Sequence, residues 1–235
     1  VVLAAVAVVV VAAAVAVVAR PRPAAVAADP PAAEPVPAAA PEPPTVTPPP
    51  APPAPKLAFY YGGTWGVSDG LLHQADPANH FSILGLPASV GWTDYDYTVE
   101  AQRYAGRGQF ALWFRTTPQV AGYLFIVGGT GDVTQIERQR LKNHPRGQGF
   151  DVLAKTTRAV ADGVWYTALV RVRGPHIECF LDDELVIELD DDEIPTGGIG
   201  LRTVYSAYRF RNLRATAPDG TVLWDGPPDR IELFK

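Results

Sequence analysis

From residue 59 onward, apolar and polar positions alternate with a period of two rather than 3.6. In YTVEAQRY, residues 97–104, Tyr97, Val99 and Ala101 alternate with Thr98, Glu100 and Gln102. In FALWFRT, residues 110–116, Phe110, Leu112 and Phe114 alternate with Ala111, Trp113 and Arg115. YLFIVGG, VTQIERQRL, FDVLAKTT, WYTALVRVRG and HIECFLDD continue the pattern. They are rich in β-branched and aromatic residues and are separated by Gly, Pro, Asn or Asp. No stretch carries an amphipathic helix of three turns. The pattern predicts an all-β fold, a two-sheet antiparallel jelly-roll sandwich. LDDELVIELD predicts a hairpin at Asp182-Asp183, and ATAPDGTVLWDG a turn at Pro218-Asp219-Gly220. Cys179 falls in phase with Ile177 and Leu181, which predicts a core position and an unreactive thiol.

The N-terminal part reads differently. Residues 1–19 are Val, Ala and Leu alone, and as a helix they would span about 28 Å, close to the thickness of a bilayer core. A membrane anchor is the favoured reading. A cleaved signal segment, with a small-residue site at Ala25-Val26-Ala27, and a buried helix of a further domain are the alternatives. Arg20 and Arg22 bias that flank toward the cytoplasm without fixing the orientation. Residues 20–56 hold most of the 24 prolines and predict a disordered linker of polyproline II character. This divides the chain into an anchor (1–19), a linker (20–56), a sandwich (57–226) and a C-terminal tail (227–235). The sandwich is expected outside the cytoplasm, in the periplasm or at the cell surface, and secreted if the first segment is cleaved.

Charge and motif content narrow the chemistry. A net charge of −5 with no dominant basic face argues against a nucleic-acid partner. The single cysteine excludes an internal disulfide, and the four histidines share no metal-like spacing. The acidic run at residues 190–193 reads as a solvated loop, with a calcium site as the minor alternative. No other cofactor is implied, because no nucleophile elbow, phosphate loop or dinucleotide fingerprint occurs.

The segments GTWGVSDGLL, YDYTVEAQRYAGRGQFALWFRT, GVWYTALVRVRGPHIECFLDDELV and GGIGLRTVYSAYRFRNLRA, taken in order, resemble the concanavalin A-like lectin/glucanase superfamily. Within it they are most similar to laminin-G-like and 3-keto-disaccharide hydrolase-type domains, also called family-16-like glycoside hydrolases. Gly198, Gly200 and Leu201, followed by Phe210-Arg211-Asn212, carry the most specific part. Asp182-Asp183 stands where that group has Asp-Gly. The resemblance implies a jelly roll with a concave face used for carbohydrate in many relatives. The Glu-x-Asp-x-x-Glu motif of catalytic glucanases is absent.

The glycines of GGIGLR are expected to make a turn and a close approach before a strand. Phe210 should then point inward, with Arg209 and Arg211 on the opposite face. Candidate ligand contacts are the outward-phase residues Trp113, Arg115, Gln135 and Glu137, with Trp92 and Tyr95 in a loop before a strand. Such a mixture offers flat apolar plates for a sugar ring and planar polar groups for its hydroxyls. Three functions follow. The first is a membrane-tethered, non-catalytic module binding carbohydrate or another extracytoplasmic ligand. The second is a hydrolase of 3-keto-disaccharides or glycosides, with Glu137 as acid/base and Arg115 orienting substrate. The third is a ligand-binding or spacer domain of a larger bacterial receptor such as a kinase. Scarce carboxylates weigh against the enzyme.

Overall fold

The computed structural model of the chain describes residues 56–89, 91–117, 121–140, 145, 147 and 149–234. The apolar segment 1–19 and the linker to residue 55 lie outside the described residues. The described part is built from strands: β1 Leu57–Tyr61, β2 Trp65–Ser68, β3 Leu71–Gln74, β4 Ser82–Leu86, β5 Tyr95–Thr116, β6 Gly122–Gly129 and β7 Val133–Arg140. These are followed by β8 Gly149–Thr157, β9 Trp165–Arg173, β10 His176–Leu181, β11 Glu184–Asp190, β12 Gly198–Thr216, β13 Val222–Asp225 and β14 Arg230–Leu233. A 3₁₀ turn at Pro87–Ser89 is the one helical element among the described residues.

Two long strands organise everything else. β5 and β12 pair antiparallel over almost their full lengths, from Gly198 opposite Thr116 to Thr216 opposite Asp96. The first half of β5 pairs with β9 and its second half with β6. The first half of β12 pairs with β4, and its second half with β3 and then β13. Both strands therefore belong to two sheets. One sheet runs β11-β10-β9-β5-β12-β3-β2, and the other runs β14-β1-β4-β12-β5-β6-β7-β8.

The passage between sheets falls at Gly106 and Gly108 on β5. A Cβ at Gly108 would lie 1.6 Å from the Val204 carbonyl oxygen, and Gly106 has φ +85°. Opposite them, a register shift between Val204 and Ser206 puts Tyr205 at φ +48°. Only residues without a side chain let two backbones approach this closely, and a bulge supplies the bend.

Between the sheets lies one apolar core. Tyr97, Val99, Val170 and Cys179 from the first sheet meet Leu84, Phe114, Phe125, Ile136 and Leu201 from the second. Burying each large apolar side chain contributes about 1.5–3 kcal/mol. Cys179 and Phe210 are buried, and Arg209 and Arg211 are exposed on the opposite face, as alternation requires. Asp182 and Asp183 both take positive φ, 49° and 64°, the backbone of a tight hairpin turn that matches strand twist.

The sandwich extends past residue 226. Residues 230–233, expected as tail, form β14, which pairs parallel with β1 in register Leu57 to Arg230. A four-residue strand shows too little alternation to be read, and its partner lies at the other end of the domain sequence.

Candidate functional site

The outer face of the second sheet carries the unusual chemistry. Register places Gly200 beside both Gly85 and Trp113, then Leu124, Glu137 and Val152 in one row across the strands. The next row holds Tyr61, Ile83, Arg202, Ala111, Ile126 and Gln135. Ile83, Ala111, Trp113, Leu124 and Ile126 form an apolar cluster separate from the core, with Phe81 packed against it. An apolar floor on an outward face is unlike an ordinary solvated sheet surface.

Arg202 lies on that floor and is 9% exposed. Its guanidinium is bracketed by the Phe81 ring at 5.2 Å and the Phe150 ring at 5.3 Å. Phe150 sits on β8, four strands from β12, which in a flat sheet puts the backbones about 19 Å apart. Side chains can close that distance only if the sheet curls toward this face. The face is a trough.

Nε and Nη1 of Arg202 are buried and find no hydrogen-bond partner among the described residues. Across the trough, Glu137 accepts a hydrogen bond from Gln135 Nε2 at 2.6 Å through its Oε1. Burial raises the Glu137 carboxyl above its ordinary value of 4.5, against the lowering pull of Arg202 and Gln135. Burial likewise lowers Arg202, against the raising pull of Glu137. The two influence each other's titration, yet no ion pair joins them among the described residues. A buried guanidinium with unmet donors is costly unless something supplies acceptors. Gly85, where a Cβ would meet nothing within 4 Å, leaves the floor open beside them.

The six residues expected at a ligand site divide into two groups. Trp113, Gln135 and Glu137 come together on the trough. Trp113 is only 5% exposed, so it is part of the floor rather than a projecting plate, and its Nε1 has no partner among the described residues. Trp92, Tyr95 and Arg115 lie elsewhere. Trp92 packs against the core, with its ring edge-on to Tyr95 at 5.8 Å. Tyr95 opens β5 instead of lying in a loop; it is fully buried, and its hydroxyl accepts the Arg115 amide at 2.9 Å.

Arg115 corrects the expected alternation. Its φ of +48° breaks the two-residue period and turns the side chain inward, where it is completely buried. The guanidinium donates to the carbonyls of Gly174 at 2.5 Å and Thr93 at 3.2 Å, tying loops together. The residues that sequence reasoning passed over are Arg202, Phe81 and Phe150. The available signal for Arg202 was a lone charge, out of phase with Leu201, in an apolar strand following Gly-Ile-Gly.

The acidic run is structural in part rather than simply solvated. Asp191 accepts from Arg138 Nη1 at 2.5 Å and from the Tyr123 hydroxyl, and Asp190 pairs with His176 Nδ1 at 2.8 Å. Among the described residues, no group of three or more His, Cys, Asp or Glu side chains is arranged to hold a metal ion.

The outer face of the first sheet offers a contrast. A shallow cavity of about 200 Å³ is lined by Thr98, Thr167, Leu169, Arg171, Phe180 and Asp183. Charges around it are matched: Arg171 pairs with Asp96 at 3.2 Å, and Arg211 pairs with Glu100 at 2.7 Å while stacking on Trp165. Those groups satisfy one another; on the trough, Arg202 keeps two buried nitrogens without a partner among the described residues.

Two curved sheets sharing their central strands define a concanavalin A-like jelly roll. A family model described as the 3-keto-alpha-glucoside-1,2-lyase-like domain matches residues 56–216, and the chain belongs to that family. Among solved structures, the carbohydrate-binding module CBM66 from Bacillus subtilis is similar with a TM-score of 0.60 and 21% identity, over 68% of this chain and 96% of that one. A Bacillus subtilis protein with a galectin-like fold is similar with a TM-score of 0.56 and 12% identity, over 67% of this chain and 88% of that one. An extracellular exo-alpha-L-arabinofuranosidase of Streptomyces chartreusis is 25% identical over 122 residues, which are 52% of this chain but only 14% of that enzyme.

Proposed function

We propose that the domain binds carbohydrate in the trough on the outer face of the second sheet. The observation that carries this reading is Arg202: a buried guanidinium held against two aromatic rings, with two nitrogens lacking partners among the described residues and a carboxylate across from it. Hydroxyls of a sugar both accept and donate, so one ring can take hydrogen bonds from Arg202 and give them to Glu137. The apolar floor suits the ring's C–H face. The likeness to a carbohydrate-binding module supports the same reading at the level of the fold. The apolar run at residues 1–19 supports a membrane tether for the domain.

Calorimetry against a panel of neutral mono- and oligosaccharides tests the proposal. At least one member should bind, and Arg202→Met should weaken it about 10- to 100-fold, the value of one hydrogen bond to a charged group. Absence of binding across the panel, or binding indifferent to Arg202→Met, contradicts it.

A second reading is catalytic, and the raised pKa of Glu137 favours it. A ketone at C3 of a glycoside acidifies the C2 proton. Glu137 would take that proton while Arg202 stabilises charge on the ketone oxygen; a C1–C2 double bond forms, and the C1–O bond breaks as the leaving alcohol gains a proton. Release of the alcohol from a 3-keto-glucoside, lost in Glu137→Gln, is the expected result. Turnover unaffected by that substitution rules the reading out.

A further inference from the structure

Beyond the Arg202 end of the trough lies a group of aromatic residues that the core does not use. Phe81, which stacks on Arg202, meets Tyr61 edge-on at 6.4 Å. Next to Phe81 in the chain, the His80 ring lies 6.3 Å from Tyr205. Tyr61 is 60% exposed and Tyr205 is 58% exposed. Tyr205 lies three residues along β12 from Arg202, about 10 Å at the rise of a strand. The Tyr61–Phe81 pair and the His80–Tyr205 pair thus adjoin through the His80-Phe81 step of the chain, with Phe81 against the guanidinium.

Tyr205 is held there against its own backbone preference. A bulky residue at φ +48° is strained, and here it stands at a bulge where glycine would fit without cost. Its backbone amide donates to the Asn79 carbonyl at 2.8 Å, which fixes the bulge against the loop carrying His80. The side chain, more than half exposed, repays little of the strain by burial. A strained position that projects an exposed aromatic ring next to a binding trough points to use of the ring itself.

We propose that Tyr205, with Tyr61 and His80, forms a second sugar-stacking subsite, so that the ligand is an oligosaccharide gripped by at least two rings. This rests on the carbohydrate reading of the trough. In the bound state one ring lies between Arg202 and Glu137, and the chain leaves over Phe81 so that a following ring stacks on the rim. Stacking on an aromatic face suits the C–H surface of a neutral sugar, and the tyrosine hydroxyls and the histidine ring edge offer hydrogen bonds at its margin.

The test uses the full chain and linear series from one to four residues built of glucose, galactose, arabinose or fructose. Calorimetry should find affinity rising at least 10-fold from the monosaccharide to the tri- or tetrasaccharide of the series that binds. Tyr205→Gly should remove that gain and raise the thermal midpoint because the strain is relieved. Tyr205→Trp should keep the gain. A purely structural tyrosine predicts the reverse, a lower midpoint and an unaltered length dependence. Binding that is sensitive to Arg202→Met but independent of chain length overturns this inference while leaving the trough as a sugar site. No binding in any series overturns both.

Discussion

Arg202 and Glu137 carry opposite charges in one half-dry trough, and each titrates away from its ordinary value because water has been removed. For Glu137 the folded-state pKa lies above the unfolded one. Its buried charge therefore opposes folding above the folded pKa, and the penalty disappears as pH falls through that value. Glu137→Gln should accordingly be more stable than the parent at neutral pH, with the advantage shrinking toward pH 4.5; thermal melts across that range would check it. Arg202→Met should leave the melting temperature unchanged or raise it, since an unpaired buried charge gives way to an apolar side chain. Unfolding of that variant would mean that Arg202 has a structural partner instead of a free role. Arg115 marks the limit of reading single residues from a sequence. Period-two alternation predicted an outward side chain, and one left-handed residue reversed it. The outward placement of Trp113, Gln135 and Glu137 was readable because nothing disturbs the period from residue 110 to 114 of β5 or from residue 135 to 139 of β7.

Strands and turns were largely legible, for local reasons. The Asp182-Asp183 hairpin and the Pro218-Asp219-Gly220 turn both form, the latter with Asp219 Oδ1 accepting the Thr221 amide at 2.9 Å. Asp183 at φ 64° occupies a position better suited to glycine. Asp183→Gly should stabilise the domain by about 0.5–1 kcal/mol, a rise of a few degrees in the melting temperature. Asp182 should not be exchanged as freely, because its Oδ1 accepts the Thr167 amide at 2.8 Å. What the sequence concealed is that β5 and β12 each serve two sheets. Gly106 and Gly108 in YAGRGQF bend a continuous strand, and only its partner strand shows this. Gly108→Ala should cost about 2–4 kcal/mol, since backbone rather than a yielding side chain blocks its Cβ. Urea titration of this variant against the parent would measure the loss.

In the whole domain, the trough exists because the second sheet curls enough to bring β12 and β8 together across four strand spacings. No local pattern encodes that proximity, so Arg202 and Phe150, 52 positions apart, gave no joint signal. The same holds at the sheet's edge, where β14 returns to pair with β1 and Phe234 packs edge-on to Phe59 at 6.4 Å. Ending the chain at residue 226 should therefore lower the melting temperature by several degrees and leave the β1 edge open to self-association, which light scattering would detect. The class of fold, by contrast, was legible from alternation alone, and the Gly-Ile-Gly-Leu and Phe-Arg-Asn segments placed it among its relatives. The account stands or falls on which face takes the sugar. Backbone NMR shifts during titration with a binding oligosaccharide decide this most directly. The largest changes should fall on residues 135–139 and 200–205, with residues 96–102 and 165–171 unmoved; the opposite distribution would place the ligand on the first sheet and contradict the trough.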